Sequence, residues 1–214
     1  MKLIRKITAV LVTMAIAFSF AACSSAKADI SIKGLTKAAK KYGAEEKTDY
    51  KDLGALLSRN TKQETIYYAA DDGAVATALF KRTLGKYEFF GDYDVNEMAV
   101  AGTSEFGSDE KPHTTIIMLM VFADSKTADE AHKQILETYG SSEDAETGTK
   151  GDYSYLITGG EAASGTRKIC RGIYRQGKAV LYIEAQAAIK DNYKFADSIC
   201  KDLGIISPSK AKMD

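Results

Sequence analysis

Residues 114–123 read Thr114-Thr115-Ile116-Ile117-Met118-Leu119-Met120-Val121-Phe122-Ala123. Successive side chains of a strand point to opposite faces. Ile116, Met118, Met120 and Phe122 therefore share one face, and Ile117, Leu119 and Val121 share the other. Neither face offers water a polar group between 116 and 122. A strand that is apolar on both sides needs cover on both sides, which places it in the interior of a sheet with other elements packed above and below.

Downstream, Asp124-Ser125 opens a helix over residues 127–139 that stops at Gly140, and a polar loop, 141–150, leads to a strand over 153–158. After a Gly-Ala-Ser loop, residues 167–175 and 178–187 are rich in β-branched and aromatic side chains, and Gln176-Gly177 reads as the two-residue turn of a hairpin. That turn sets Cys170 opposite Ile183, Gly172 opposite Leu181 and Tyr174 opposite Ala179, with Cys170 on the face of Leu181, Ile183 and Ala185. In the last helix Phe195, Ala196, Ile199, Cys200 and Leu203 form one apolar stripe. Both thiols thus face one helix-on-sheet interface. In an exported chain an even pair suggests a disulfide between Cys170 and Cys200, the other reading being two buried free thiols. Neither has a histidine near it in sequence to activate it as a nucleophile.

Upstream, Ile66-Tyr67-Tyr68 suits a short strand. Asp71 or Asp72 caps a helix whose Val75, Ala76, Leu79, Phe80, Thr83 and Leu84 recur every third or fourth position until Gly85; a hairpin around Asp71-Asp72-Gly73 is the competing reading. Residues 86–101 look extended. Residues 47–64 are polar apart from Leu53, Leu56 and Leu57, enough for a short helix. Residues 29–46 hold Ile32, Leu35, Ala38, Ala39 and Tyr42 at helical spacing, with Lys33, Lys37, Lys40 and Lys41 outside that stripe. Such a basic amphipathic helix lies either on anionic lipid or on its own domain.

Adjacent strands joined by short loops make the fold α+β, an antiparallel sheet covered by helices. Ala131, Ile135, Tyr139 and Gly140 match the spacing of Phe195, Ile199, Leu203 and Gly204, and each helix follows an apolar strand, so the chain reads either as two degenerate strand-strand-helix halves or as two helices obeying the same packing rule. The expected organisation is residues 1–22 as a signal peptide, 23–64 as a tether with the basic helix, 65–206 as the globular domain and 207–214 as a polar tail.

The chemical inventory is thin. His113 is expected in a polar loop, 102–113, and His132 on the exposed side of a helix; no spacing suits zinc, a nucleophile elbow or a phosphate cradle. Asp92-Tyr93-Asp94-Val95-Asn96 starts like a calcium loop but has Glu97 at its sixth position and Thr103 at its twelfth, where glycine and glutamate belong. No cofactor or metal is expected. Tyr87, Phe89, Phe90 and Tyr93 cluster beside Gly85 and Gly91, as side chains of a ligand surface or as core under the sheet.

The first residues speak of location. Lys2, Arg5 and Lys6 precede sixteen uncharged residues, 7–22, too short a run to span a bilayer and shaped like an export signal. The run closes on Phe20-Ala21-Ala22-Cys23, which resembles a bacterial lipobox. Ala21, Ala22 and Cys23 match it, Phe20 departs from its usual aliphatic residue, and Ser24-Ser25 suits the tether that follows. The resemblance implies a bacterial lipoprotein, lipid-modified on Cys23 and held at the outer face of a membrane; the other reading is secretion after cleavage at residues 26–28. Removing residues 1–22 takes the balance from 29 basic and 29 acidic side chains to 26 against 29. That excludes an electrostatic nucleic-acid binder. The expected function is a lipid-anchored binding or interaction module for a protein or small molecule. The alternatives are a cell-surface hydrolase joining His113 to Asp109 and Glu110, and a structural envelope protein.

Overall fold

The computed structural model describes residues 27–57, 63–84, 93–139, 145–161 and 165–211. Cys23 and the signal-like run lie outside them, as do Tyr87, Phe89, Phe90 and Asp92. Eight strands are present among the described residues: β1 (Glu45–Glu46), β2 (Glu64–Ala70), β3 (Val95–Phe106), β4 (Pro112–Phe122), β5 (Glu146–Lys150), β6 (Tyr153–Glu161), β7 (Arg167–Gln176) and β8 (Ala179–Ala188). The helices are α1 (Ile32–Lys41), the single turn α2 (Gly54–Leu57), α3 (Gly73–Thr83), α4 (Ser125–Tyr139) and α5 (Lys194–Leu203).

The strands form one sheet in the order β1-β2-β3-β4-β8-β7-β6-β5. Every pairing is antiparallel except β1 with β2. The fold is α+β. β4 lies in the middle, Ile117 standing between Ala101 of β3 and Ile183 of β8. Its two apolar faces feed two separate cores. Ile116, Met118, Met120 and Phe122 pack with Leu79 and Phe80 of α3 and Ala131 and Ile135 of α4. Ile117 and Leu119 pack with Leu35 and Ala39 of α1 and Ile199 and Leu203 of α5. The strand's continuous hydrophobicity is thus the direct consequence of helices on both sides.

Local chemistry sets the element ends. The Asp72 carboxylate accepts from the N–H groups of Ala74 and Val75 at 3.0 Å each, which decides for a helix over a hairpin there. Asp124 accepts from the Thr127 N–H at 2.8 Å at the start of α4. Gly204, at φ 71°, closes α5 in the left-handed conformation.

Several expectations change. The β7–β8 turn is Gly177-Lys178, not Gln176-Gly177, so Cys170 pairs with Ala185, Gly172 with Ile183 and Tyr174 with Leu181. Gly177, at φ 57°, leads the turn, the sequence preference of a II′ hairpin. Because the slip is two residues along one strand, Cys170 keeps its face. The domain does not begin at residue 65. Ala28, Ile30, Leu35, Ala38, Ala39 and Ala44 are already in the core, α1 laying Leu35, Ala38 and Ala39 on the sheet, because an apolar stripe this regular finds its burial within the domain. Nor are residues 207–214 simply a polar tail: a 3₁₀ turn, Pro208–Lys210, buries Pro208, and Ala211 joins the core. The extended segment placed at 86–101 is strand from Val95 onward, and it continues to Phe106, so most of the supposed loop 102–113 is hairpin; likewise β6 runs through Gly159 and Gly160 to Glu161. His132 is 4% exposed. A helix lying on a sheet covers a stripe wide enough to include the position beside Ala131, whatever its polarity.

α4 and α5 occupy opposite faces of the sheet, since their stripes belong to different cores. β4 and β8 are antiparallel neighbours. A rotation exchanging them about an axis normal to the sheet would leave both following helices on one face. The spacing shared by Ala131/Ile135 and Ile199/Leu203 is therefore accounted for by the common requirement of packing on a sheet.

Candidate functional site

The strand directions give the sheet two ends. The proximal end, where the described chain begins, carries the β5–β6 and β7–β8 turns and the C-terminus of α5. The distal end carries the β3–β4 loop and the segment after β8. With β8 ten residues long and a rise of about 3.3 Å per residue, the two ends are separated by about 30 Å.

At the distal end His113 is buried within β4, not exposed in a loop, because residue 113 already pairs with Glu105 and its ring turns inward. The Nε2 atom accepts from the Ala188 N–H at 2.9 Å and lies 3.2 Å from Asp109 Oδ1. The Nδ1 atom is 3.4 Å from Asp191 Oδ2. Acceptance at Nε2 places the neutral ring's proton on Nδ1, toward Asp191. Burial pushes the Asp109 carboxyl up, but the Lys111 N–H and the Arg167 charge act against it and hold it below the usual range. Asp191 is held low chiefly by the Ser108 N–H, which donates to it at 2.8 Å. Arg167 stands 3.7 Å from Asp109 and also donates to the Pro112 carbonyl oxygen.

Of the residues named for a hydrolase, His113 and Asp109 are together. Glu110 is exposed at the loop tip with φ 58° and makes no bond to the ring among the described residues. A general base needs a free lone pair directed at substrate. Here the Nε2 lone pair is taken by Ala188, so the arrangement ties the β3–β4 loop to β7 and to the segment after β8. Asp191 and Arg167 escaped sequence reasoning because they lie 78 and 54 positions from His113 with no motif between them.

Phe106 and Ile189 flank this latch and are 47% and 42% exposed, large apolar side chains left in water.

Cys170 and Cys200 are free and buried in the same core. Burial pushes the Cys170 thiol up to about 12, and it raises Cys200 as well. Neither is a nucleophile at neutral pH. Of the aromatic cluster, Tyr93 is described: half-buried, it meets Phe122 edge-to-face at 5.8 Å. The start of the calcium-like run, Asp92, lies outside the described residues, among which no group of three His, Cys, Asp or Glu side chains is placed to hold a metal.

At the proximal end Gln176 collects three segments. Its Nε2 donates to the Ala28 carbonyl oxygen and to Asp152 Oδ2, at 2.8 Å each, and its Oε1 accepts from the Ile30 N–H at 3.0 Å. Asp29 N–H donates to the Leu203 carbonyl oxygen at 2.9 Å. A cavity of about 410 Å³ opens beside this bracket, lined by Lys27, Ala28, the 150–153 turn and Gly204. Another, about 450 Å³, lies between α1 and the end of α5. There Lys41 pairs with Asp202 at 2.8 Å, which raises the lysine and lowers the acid.

No protein-family model matches the chain, and no curated protein matches it significantly. Among solved structures it is similar to the crystal structure of the extracellular domain of PknH from Mycobacterium tuberculosis, with a TM-score of 0.41 and 11% identity over 73% of this chain and 89% of that one. A likeness this distant transfers nothing to this chain.

Proposed function

We propose that the protein is a lipid-anchored interaction module at the outer face of a bacterial membrane, tethered through Cys23 at its proximal end and presenting its distal end to a protein partner. The observation that carries this reading is the pairing of a cross-linked distal end with exposed apolar side chains. The latch of Asp109, His113, Arg167 and Asp191 joins the segments that carry Phe106 and Ile189. Rigidly held apolar side chains facing water are what a partner can bury without ordering a loop first. The occupied Nε2 of His113 speaks for binding over hydrolysis.

The test has two arms. Labelled palmitate should enter the wild-type protein and not Cys23→Ala; a protein that is membrane-bound but unlabelled sinks the anchor. Crosslinking on intact cells, followed by mass spectrometry, should capture a specific partner that is lost with Phe106→Ala combined with Ile189→Ala. Undiminished capture by that double variant would remove the distal end from the reading, and turnover abolished by His113→Gln would replace binding with hydrolysis.

A further inference from the structure

The proximal cavity has a neighbour dictated by chain length. Ala28 is 6% exposed and its carbonyl is held by Gln176, so the chain is fixed to the domain at that residue. Between Cys23 and Lys27 lie four peptide steps, which reach at most about 14 Å in any conformation. A lipid on Cys23 sits at the bilayer surface, whose polar layer is about 6 Å deep on each side. The mouth of the cavity, which Lys27 itself lines, is therefore held within about 14 Å of the lipid-bearing residue, close enough to meet the headgroup layer.

Its chemistry fits that place. Lys27 and Lys150 are exposed, and neither is ion-paired among the described residues. The one carboxylate in the lining, Asp152, is turned onto the Gln176 amide at 2.8 Å. Gly151 leads the β5–β6 turn at φ 61° and adds no side chain of its own to the lining. Two free ammonium groups suit a phosphate, and about 410 Å³ suits a small polar headgroup. We infer that this cavity takes the headgroup of an anionic phospholipid from the membrane that anchors the protein. The inference rests on Cys23 being the lipidated residue; it concerns the end of the domain opposite the partner surface. Bound there, the headgroup fixes the tilt of the domain on the bilayer. A lysine near an anionic surface contributes about five-fold in affinity.

The experiment uses the full lipid-modified protein reconstituted into vesicles of phosphatidylcholine alone or with phosphatidylglycerol. Lysine acetylation is followed by mass spectrometry. Lys27 and Lys150 should react several-fold more slowly in the anionic vesicles, while Lys111, exposed in the distal loop, should react equally in both. Lys150→Glu should return Lys27 to its rate in neutral vesicles. Equal rates for Lys27 and Lys150 in the two membranes would overturn the headgroup site while leaving the anchor intact. The mass of the N-terminal peptide reports the anchor independently; without lipid on Cys23 the reach argument fails and the inference with it.

Discussion

Gln176 and Ala28, 148 positions apart, meet side chain to backbone, the Gln176 Nε2 donating to the Ala28 carbonyl oxygen at 2.8 Å. The same side chain accepts from the Ile30 N–H and donates to Asp152. One residue at the end of β7 thereby fixes both the start of the domain and the β5–β6 turn. Gln176→Ala should cost about 2 kcal/mol in urea unfolding, because it leaves partly buried backbone groups unpaired. Gln176→Glu keeps the acceptor for Ile30 but sets an anion against Ala28 O and Asp152. It should be more destabilising than alanine at pH 7, and an equal or smaller loss would refute the role of the amide nitrogen.

The distal latch depends on a close approach. A Cβ on Gly107 would lie 1.8 Å from the His113 ring, and that ring is held from behind by the Ala188 N–H. Gly107→Ala should therefore destabilise by about 2 kcal/mol. His113→Phe, which orphans the Ala188 N–H, should cost a similar amount, and the double variant should lose less than the two losses together, since both break one contact. Strict additivity in a double-mutant cycle would count against this coupling.

Stability should depend on His132. Burial, and then the Arg175 charge, lower its pKa from 6.5 to about 4, with Asp129 opposing. Between those values the unfolded chain binds a proton that the folded chain refuses, so stability rises with pH across this window. It is complete above about pH 6.5 and lost as pH falls toward 4, by at most about 3 kcal/mol. Unfolding followed from pH 7 to pH 4.5 should show this slope, and His132→Leu should flatten it. An unchanged slope in the variant would assign the effect elsewhere.

The thiols of Cys170 and Cys200 should be silent toward a thiol reagent at pH 8 in the folded protein and react when denaturant exposes them, because burial raises both above the pH of the assay. Reaction of either in the native state at the rate of a free thiol would contradict the packing of α5 on β7 and β8.

Much of this architecture was legible because it follows from burial on two faces. The run from Ile116 to Phe122 announced an interior strand, and the stripes of α3, α4 and α5 announced their packing sides. What failed did so for identifiable reasons. Gln-Gly and Gly-Lys are both plausible two-residue turns, and composition alone does not rank them, so the β7–β8 register came out two residues off. The helix α1 reads the same whether it lies on lipid or on a sheet. The distal latch was half visible: His113 and Asp109 are four residues apart, whereas Arg167 and Asp191 reach them only through the strand order. The proximal cavity had no signal, since its walls come from residue 27, one hairpin turn and the end of a helix.

The Gln176 bracket also determines how the molecule bears load. Tension on residue 27 meets three hydrogen bonds first: those of Ala28 and Ile30 to Gln176, and that of Asp29 to Leu203. Behind them comes α1, lying across one face of the sheet, and only then the edge pairing of β1 with β2. A pull along the chain would strip α1 from its core while the opposite core, under α3 and α4, stayed closed. The bracket is a mechanical fuse, set at the first described residues and ahead of the sheet that carries the distal end.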